Sequence, residues 1–222
     1  HPITWILSVY FAMGLPFVTL SIVSVVMLKD LGIDNQKIAF WTSWLILPWS
    51  LKAFFSLIME TFGTKRHYVI IAEIVSAIAF GLIVFSLPLP NFFTIILALM
   101  GVVALSGSIH DIAGDGIYLD ELDVKTQSKF SGWQGAFYNL AKVLANGGLV
   151  FLAGWLTNSM NLTITQSWQI VFVILGALML FVAIHHLRVL PTGKVNEKGA
   201  SFREKSKELG EIFLSFFRKK HI

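Results

Sequence analysis

The sequence predicts an all-α fold, a polytopic membrane bundle of six transmembrane helices, on three observations. Hydrophobic residues make up 55% of the 222-residue chain and the mean hydropathy is +0.73. Charged residues are 14%, against about 25% in ordinary soluble domains. Apolar stretches of roughly 20 residues recur, each long enough to cross a bilayer core of about 30 Å. The alternating ten-residue pattern of a membrane β-barrel is missing.

Absence of cysteine leaves the redox compartment unread and excludes Cys-based metal sites. The chain enters its first apolar run by Ile3 with no basic leader before it, so no signal peptide is read. We expect a segment of a longer protein.

Six spans are predicted: Ile3–Leu28, Ile38–Thr61, Tyr68–Leu89, Phe92–Tyr118, Phe130–Leu156 and Trp168–Leu187. The connectors orient them. Lys65, Arg66, Lys125, Lys129 and the basic residues from Arg188 onward put thirteen positive charges on one side. The positive-inside rule makes that side cytoplasmic, with both ends of the segment there. The net charge of +4 then reads as membrane orientation and not as a nucleic-acid surface. Residues 1–190 form the bundle, and 191–222 form a basic cytoplasmic linker with an amphipathic helix over Phe202–Phe217.

Span one carries Gly14 and Pro16. Pro16 removes a helix hydrogen bond and Gly14 weakens the helix beside it, so a kink is expected, either for packing or to line a cavity. In span two, Lys52 lies 14 residues in from Ile38, about 21 Å at 1.5 Å per residue. That depth requires a carboxylate or a wet cavity. The span ends in Glu60, followed by Lys65 and Arg66, a pattern that suits a cytoplasmic gate or plain topology charge.

Span three has one charge, Glu73. It either reaches the interface or pairs with Lys52 or Lys142. Span four places His110, Asp111 and Asp115 inside a membrane-length helix. Asp111 and Asp115 are four apart and share a face. A helix C-terminus disfavours carboxylates, so both need basic partners, with Lys65 and Arg66 the natural ones. Asp115 reads as a gate ion pair and Asp111 as a candidate proton carrier. Gly107, Gly114 and Gly116 permit close helix approach.

In span five, Asn139, Lys142 and Asn146 share a face. Lys142 is about 18 Å in and is the charge nearest the midplane. The stripe is expected to look into the bundle, either binding an anionic group or pairing with Glu73 or Asp111. Asn161-Leu-Thr163 is a sequon to which little weight attaches.

These residues resemble a family. Gly14-Leu-Pro16, the run Ile38–Glu60 with Lys65 and Arg66 after it, and His110-Asp111 followed four residues on by Asp115 are similar to the N-terminal half of a major facilitator transporter. Within that superfamily they resemble the AmpG-like muropeptide permeases and their acetyl-CoA transporter relatives. Trp168-Gln169 opening span six also fits. Glu60 and His110 depart from the family's Asp and Gln, fewer bases follow Glu60, and the family's basic residue in span five does not map onto Lys142.

The resemblance implies half of a 12-helix fold built of 3+3 inverted repeats, with spans one and four as repeat partners and their irregular stretches in corresponding places. It implies a permease of the bacterial inner membrane, a proton-driven symporter importing a muropeptide or similar anionic solute in peptidoglycan recycling. No cofactor is implied beyond the proton gradient. The implied partners are lipid, a small solute and a C-terminal six-helix half. Two other readings stay open. One is a self-contained six-helix dimeric transporter or channel. The other is an intramembrane hydrolase using Asp115 within Ala113–Gly116, with Glu73 its sole candidate second carboxylate. A metal site is not expected, since His110 and Asp111 lack a third ligand at usable spacing.

Overall fold

The structure is a computed structural model, and it describes residues 1–52, 55, 56, 59, 63–193, 207 and 211. These residues form helices and short connections, with no strand among them. Five helices are long and apolar enough to cross a membrane: α1 (Ile3–Asp30), α4 (Lys65–Ser86), α5 (Phe92–Glu121), α6 (Val124–Ser159) and α7 (Ile164–Val189). The start of the predicted second span holds two short helices, α2 (Asn35–Trp44) and α3 (Leu47–Ser50). The break between them has a local cause. Pro48 has no N–H to return to Trp44, which weakens the run here, and Leu45 and Trp49 bond instead to carbonyls three residues back. Glu60 and the Phe202–Phe217 amphipathic stretch lie outside the described residues.

Helix starts follow capping chemistry. Asp34 accepts from the backbone N–H groups of Gln36 and Lys37, and Thr163 forms a reciprocal capping box with Gln166. Asp123 caps α6, and hydrogen bonds from Thr126 hold its carboxyl below the usual carboxylate range.

α1 runs through Pro16 and turns π-helical over Thr19–Val23. The hydroxyls of Thr19, Ser21 and Ser24 bond back to the carbonyls of Leu15, Phe17 and Leu20 at 2.7, 2.8 and 2.7 Å. α6 has a matching π segment at Leu144–Leu149, and the two segments touch. α5 is one uninterrupted α-helix. The π segments therefore fall in the first and fifth predicted spans, and the fourth, expected to be irregular at Gly107–Gly116, is regular. A π segment follows one turn after Pro16, where the kink is expected. Gly14 does a different job: a Cβ there would stand 2.6 Å from the Tyr138 carbonyl oxygen and 2.9 Å from Ala141 Cβ. Only glycine lets α1 and α6 come this close.

α1 packs between α5 and α6, and α4 packs between α5 and α7. Gly107 faces Pro16 and Trp49, and Gly114 faces Val9 and Met13. Two apolar clusters fill the interior. One holds Phe80, Ile96, Met100, Trp168 and Phe172, towards the end of the bundle remote from Lys65 and Arg66. The other holds Trp5, Val9, Ile70, Ile117 and Leu190, at the basic end. Glu73 falls between Ile70 of one cluster and Ala79 of the other, and His110 between Ala104 and Ala113. A buried polar layer thus separates the two. Outward faces carry Phe85, Phe151 and Phe181, each over 70% exposed, which on helices of this length is a lipid-facing surface.

Candidate functional site

Asp111 is 7% exposed. Its Oδ2 accepts from Trp49 Nε1 at 2.8 Å and Lys52 Nζ at 3.1 Å, while its buried Oδ1 has no partner among the described residues. Lys52 supplies the carboxylate's counter-charge from the second predicted span, and its own side chain is still 40% exposed. It also lines a cavity of about 360 Å³, together with Lys65, Ile112, Asp115, Leu119 and Asp120. The ion pair is therefore buried on its acidic side and reachable on its basic side.

Asp115 and Asp111 share a face, but the bases predicted for them go elsewhere. Asp115 Oδ1 accepts from the Tyr10 hydroxyl at 2.8 Å, and that oxygen accepts from Gln134 Nε2 at 2.6 Å. Lys65 pairs with Asp120 at 2.6 Å. Its stem crosses Gly116, where a Cβ would sit 2.7 Å from Lys65 Cδ. Arg66 donates to the Leu187 carbonyl. Hydropathy alone ends span four at Tyr118, short of Asp120. The helix continues to Glu121, and its extra turn carries Asp120 to Lys65.

Glu73 is fully buried and pairs with neither Lys52 nor Lys142. Its Oε1 accepts from His110 Nε2 at 3.0 Å and from His186 Nδ1 at 2.7 Å. The other nitrogen of His186 meets the Ser8 hydroxyl at 2.8 Å. α1, α4, α5 and α7 each contribute one residue to this chain of contacts. Glu73, the second carboxylate named for the hydrolase reading, is thus engaged with two imidazoles.

Lys142 has no carboxylate partner among the described residues. Its ammonium lies 5.3 Å from the Tyr138 ring centre and 5.9 Å from that of Phe17, within cation–π range. Asn139 and Asn146 are exposed and not turned into this bundle. The reason is α6's seam against α1. Ala141, Ala145, Leu149 and Ala153 are buried there, leaving the polar stripe to one side and Lys142 half-buried at its border. No group of metal-ligating side chains occurs among the described residues.

Sequence reasoning missed Ser8, Tyr10, Trp49, Asp120, Gln134 and His186 as members of these networks. His186 carried a usable signal. It lies within the predicted span Trp168–Leu187, but only one residue from its end, so the signal is its polarity next to the apolar run and not its depth.

The profile of the Major Facilitator Superfamily matches residues 6–222. Two curated proteins align with the chain, one of Rickettsia conorii and one of Rickettsia felis, each named "Putative transporter AmpG 4". Both are 27% identical, over 202 and 196 residues, and both alignments cover 83% of this chain. They cover 44% of each relative, so the chain spans under half the length of the proteins it matches.

Proposed function

The chain belongs to the major facilitator superfamily, a family of membrane transporters, and we propose that it forms the N-terminal half of a proton-coupled importer of an anionic muropeptide-like solute. A second six-helix half completes the carrier, and the two rock about a central cavity in alternating access. The basic end of the bundle is cytoplasmic on this reading, by the positive-inside rule.

The observation that carries the proposal is the Lys52–Asp111 pair, which has a buried anion and a reachable cation. An anionic solute group entering the cavity competes for Lys52. A buried carboxylate that loses its cation is costly to keep charged, and a proton neutralises it. Solute and proton then load together, as symport requires. Lys65–Asp120 and Tyr10–Asp115 close the basic end of the same cavity. Two relatives carry the name of an AmpG transporter, and the muropeptide is what the resemblance to the AmpG-like permeases implies.

The test is uptake of labelled anhydromuropeptide by the full-length protein in proteoliposomes, with and without an inward proton gradient. Uptake that accumulates only with the gradient supports the proposal. Gradient-independent equilibration removes proton coupling, and no movement of muropeptide removes the substrate assignment.

A further inference from the structure

The Glu73 cluster has an asymmetry that decides where an added proton can sit. Glu73 Oε1 takes both imidazole N–H groups, while Oε2 is buried with no partner among the described residues. A proton on Oε2 would be a buried donor with no acceptor, costing about 1–3 kcal/mol. His110 has the same difficulty: its Nε2 is engaged with Glu73 and its Nδ1 is buried without a partner among the described residues. Only His186 differs. Its Nδ1 bonds Glu73, and its Nε2 faces the Ser8 hydroxyl at 2.8 Å.

That hydroxyl also lies 3.1 Å from the Trp5 carbonyl oxygen, and it has a single hydrogen to give. When the hydrogen goes to Trp5, Ser8 Oγ accepts from His186 Nε2–H, and the ring is an imidazolium beside the Glu73 carboxylate. When it goes to His186, Nε2 is bare and the ring is neutral. Both arrangements satisfy His186 and Ser8. They differ by one proton and one hydroxyl rotation, and the cluster's net charge is zero when loaded and −1 when empty.

We infer that His186 is a second proton-binding site of the bundle, separate from Asp111, filled and emptied through the Ser8 hydroxyl. Ser8 is only partly buried and stands five residues from the start of α1 at Ile3, so the released proton passes to water at the basic end. Glu73 stays ionised throughout. The groups facing Glu73 are His110 from α5 and His186 from α7, with the Ser8 hydroxyl reaching the far side of His186 from α1. On α5, next to His110, stands Asp111, paired with Lys52. On the outer side are His185, bonded to the Thr4 carbonyl, and Arg66, bonded to that of Leu187. Whether the site takes part in coupling rests on the transporter reading above; its existence does not.

The test is nitrogen NMR of histidine-labelled full-length protein in lipid nanodiscs, with ring signals assigned through His110→Gln and His186→Gln. As pH is varied, His186 is expected to show two ring forms, with Nε2 protonated and with Nε2 bare, while His110 Nδ1 stays bare. Glu73→Gln is expected to leave His186 neutral throughout. Ser8→Ala is expected to slow proton exchange at Nε2 about tenfold, the effect of losing one relay hydrogen bond. A His186 ring in one fixed form at every pH, a proton appearing on His110 Nδ1 instead, or unchanged exchange in Ser8→Ala overturns the inference. Wild-type spectra decide it even where a variant does not fold. The titration needs no solute, so failure of muropeptide uptake removes the substrate assignment and leaves this result standing.

Discussion

Lys65 Nζ stands 2.6 Å from Asp120 Oδ2, and the stem of the same lysine occupies the space a side chain at position 116 would take. The pair joins the start of α4 to the last turn of α5, and both residues line the cavity. Both side chains are less than a quarter exposed, so solvent screens them only partly. The chain has no cysteine, which makes single-cysteine reporters clean. In full-length protein with Ile112→Cys inside the cavity, Asp120→Asn is expected to raise thiol labelling from the basic end about fivefold, equivalent to about 1 kcal/mol of lost closure. Gly116→Ala should act in the same direction, because the flexible lysine stem yields and leaves Asp120. Labelling unchanged in both variants would show that this pair does not hold the cavity closed.

The contact between α1 and α6 sets up a graded series. A Cβ at Gly14 meets backbone and a neighbouring Cβ, neither of which can move cheaply, whereas one at Gly147 has nothing within 4 Å. Gly14→Ala is expected to destabilise the bundle by about 1–3 kcal/mol, the usual effect of overpacking. Gly147→Ala is expected to be neutral or slightly stabilising through the lower backbone entropy of the unfolded chain. Thermal unfolding in detergent checks both. Equal Tm values for the two variants would mean that the close α1–α6 approach does not limit stability.

Asp111→Asn keeps the shape of the side chain and an oxygen for Trp49 Nε1, but removes the charge opposite Lys52. On the coupling proposed for that pair, gradient-driven accumulation of anhydromuropeptide is expected to vanish while counterflow exchange survives. Trp49→Phe removes one hydrogen bond to a charged group, worth about 1.5–3 kcal/mol, and is expected to weaken both modes. Accumulation by Asp111→Asn at the wild-type level would take the proton-carrying role away from this residue.

How much of this was readable in the sequence depends on what each residue's placement requires. Membrane helices declare themselves by length and apolarity, so the runs around Ile3, Tyr68, Phe92, Phe130 and Trp168 could be found one by one. Buried charge declares itself by expense, which singled out Lys52, Glu73, Asp111 and Lys142. Partner choice is not local. Whether Lys52 reaches Asp111 or Glu73 depends on helix rotation and on which helices are neighbours, set by contacts such as Gly107 against Trp49 and Pro16. Span ends were read from hydropathy, which fades before the helix does, so Asp120 was lost from α5. The π segments at Thr19–Val23 and Leu144–Leu149 have no sequence signature comparable to a proline, and Pro16 drew attention to the turn before the first of them.

Lys142 supports a sharper expectation than its place in a polar stripe would. The ammonium rests over two aromatic rings and has no carboxylate partner among the described residues. Ring faces attract a cation by about 0.5–2 kcal/mol without neutralising it, so the charge remains available to an anion. Lys142→Met keeps the apolar stem against Phe17 and Tyr138, and the fold should lose no more than about 1 kcal/mol. If Lys142 meets the anionic group of the solute, the variant raises half-saturation and lowers gradient-driven uptake and counterflow together by at least about tenfold. Lys142→Arg, which keeps the charge, should recover part of both. This separates the residue from Asp111, whose loss is expected to spare counterflow. Wild-type half-saturation in Lys142→Met would leave Lys52 as the cation that meets the solute, since it alone is both paired with a buried carboxylate and open to the cavity.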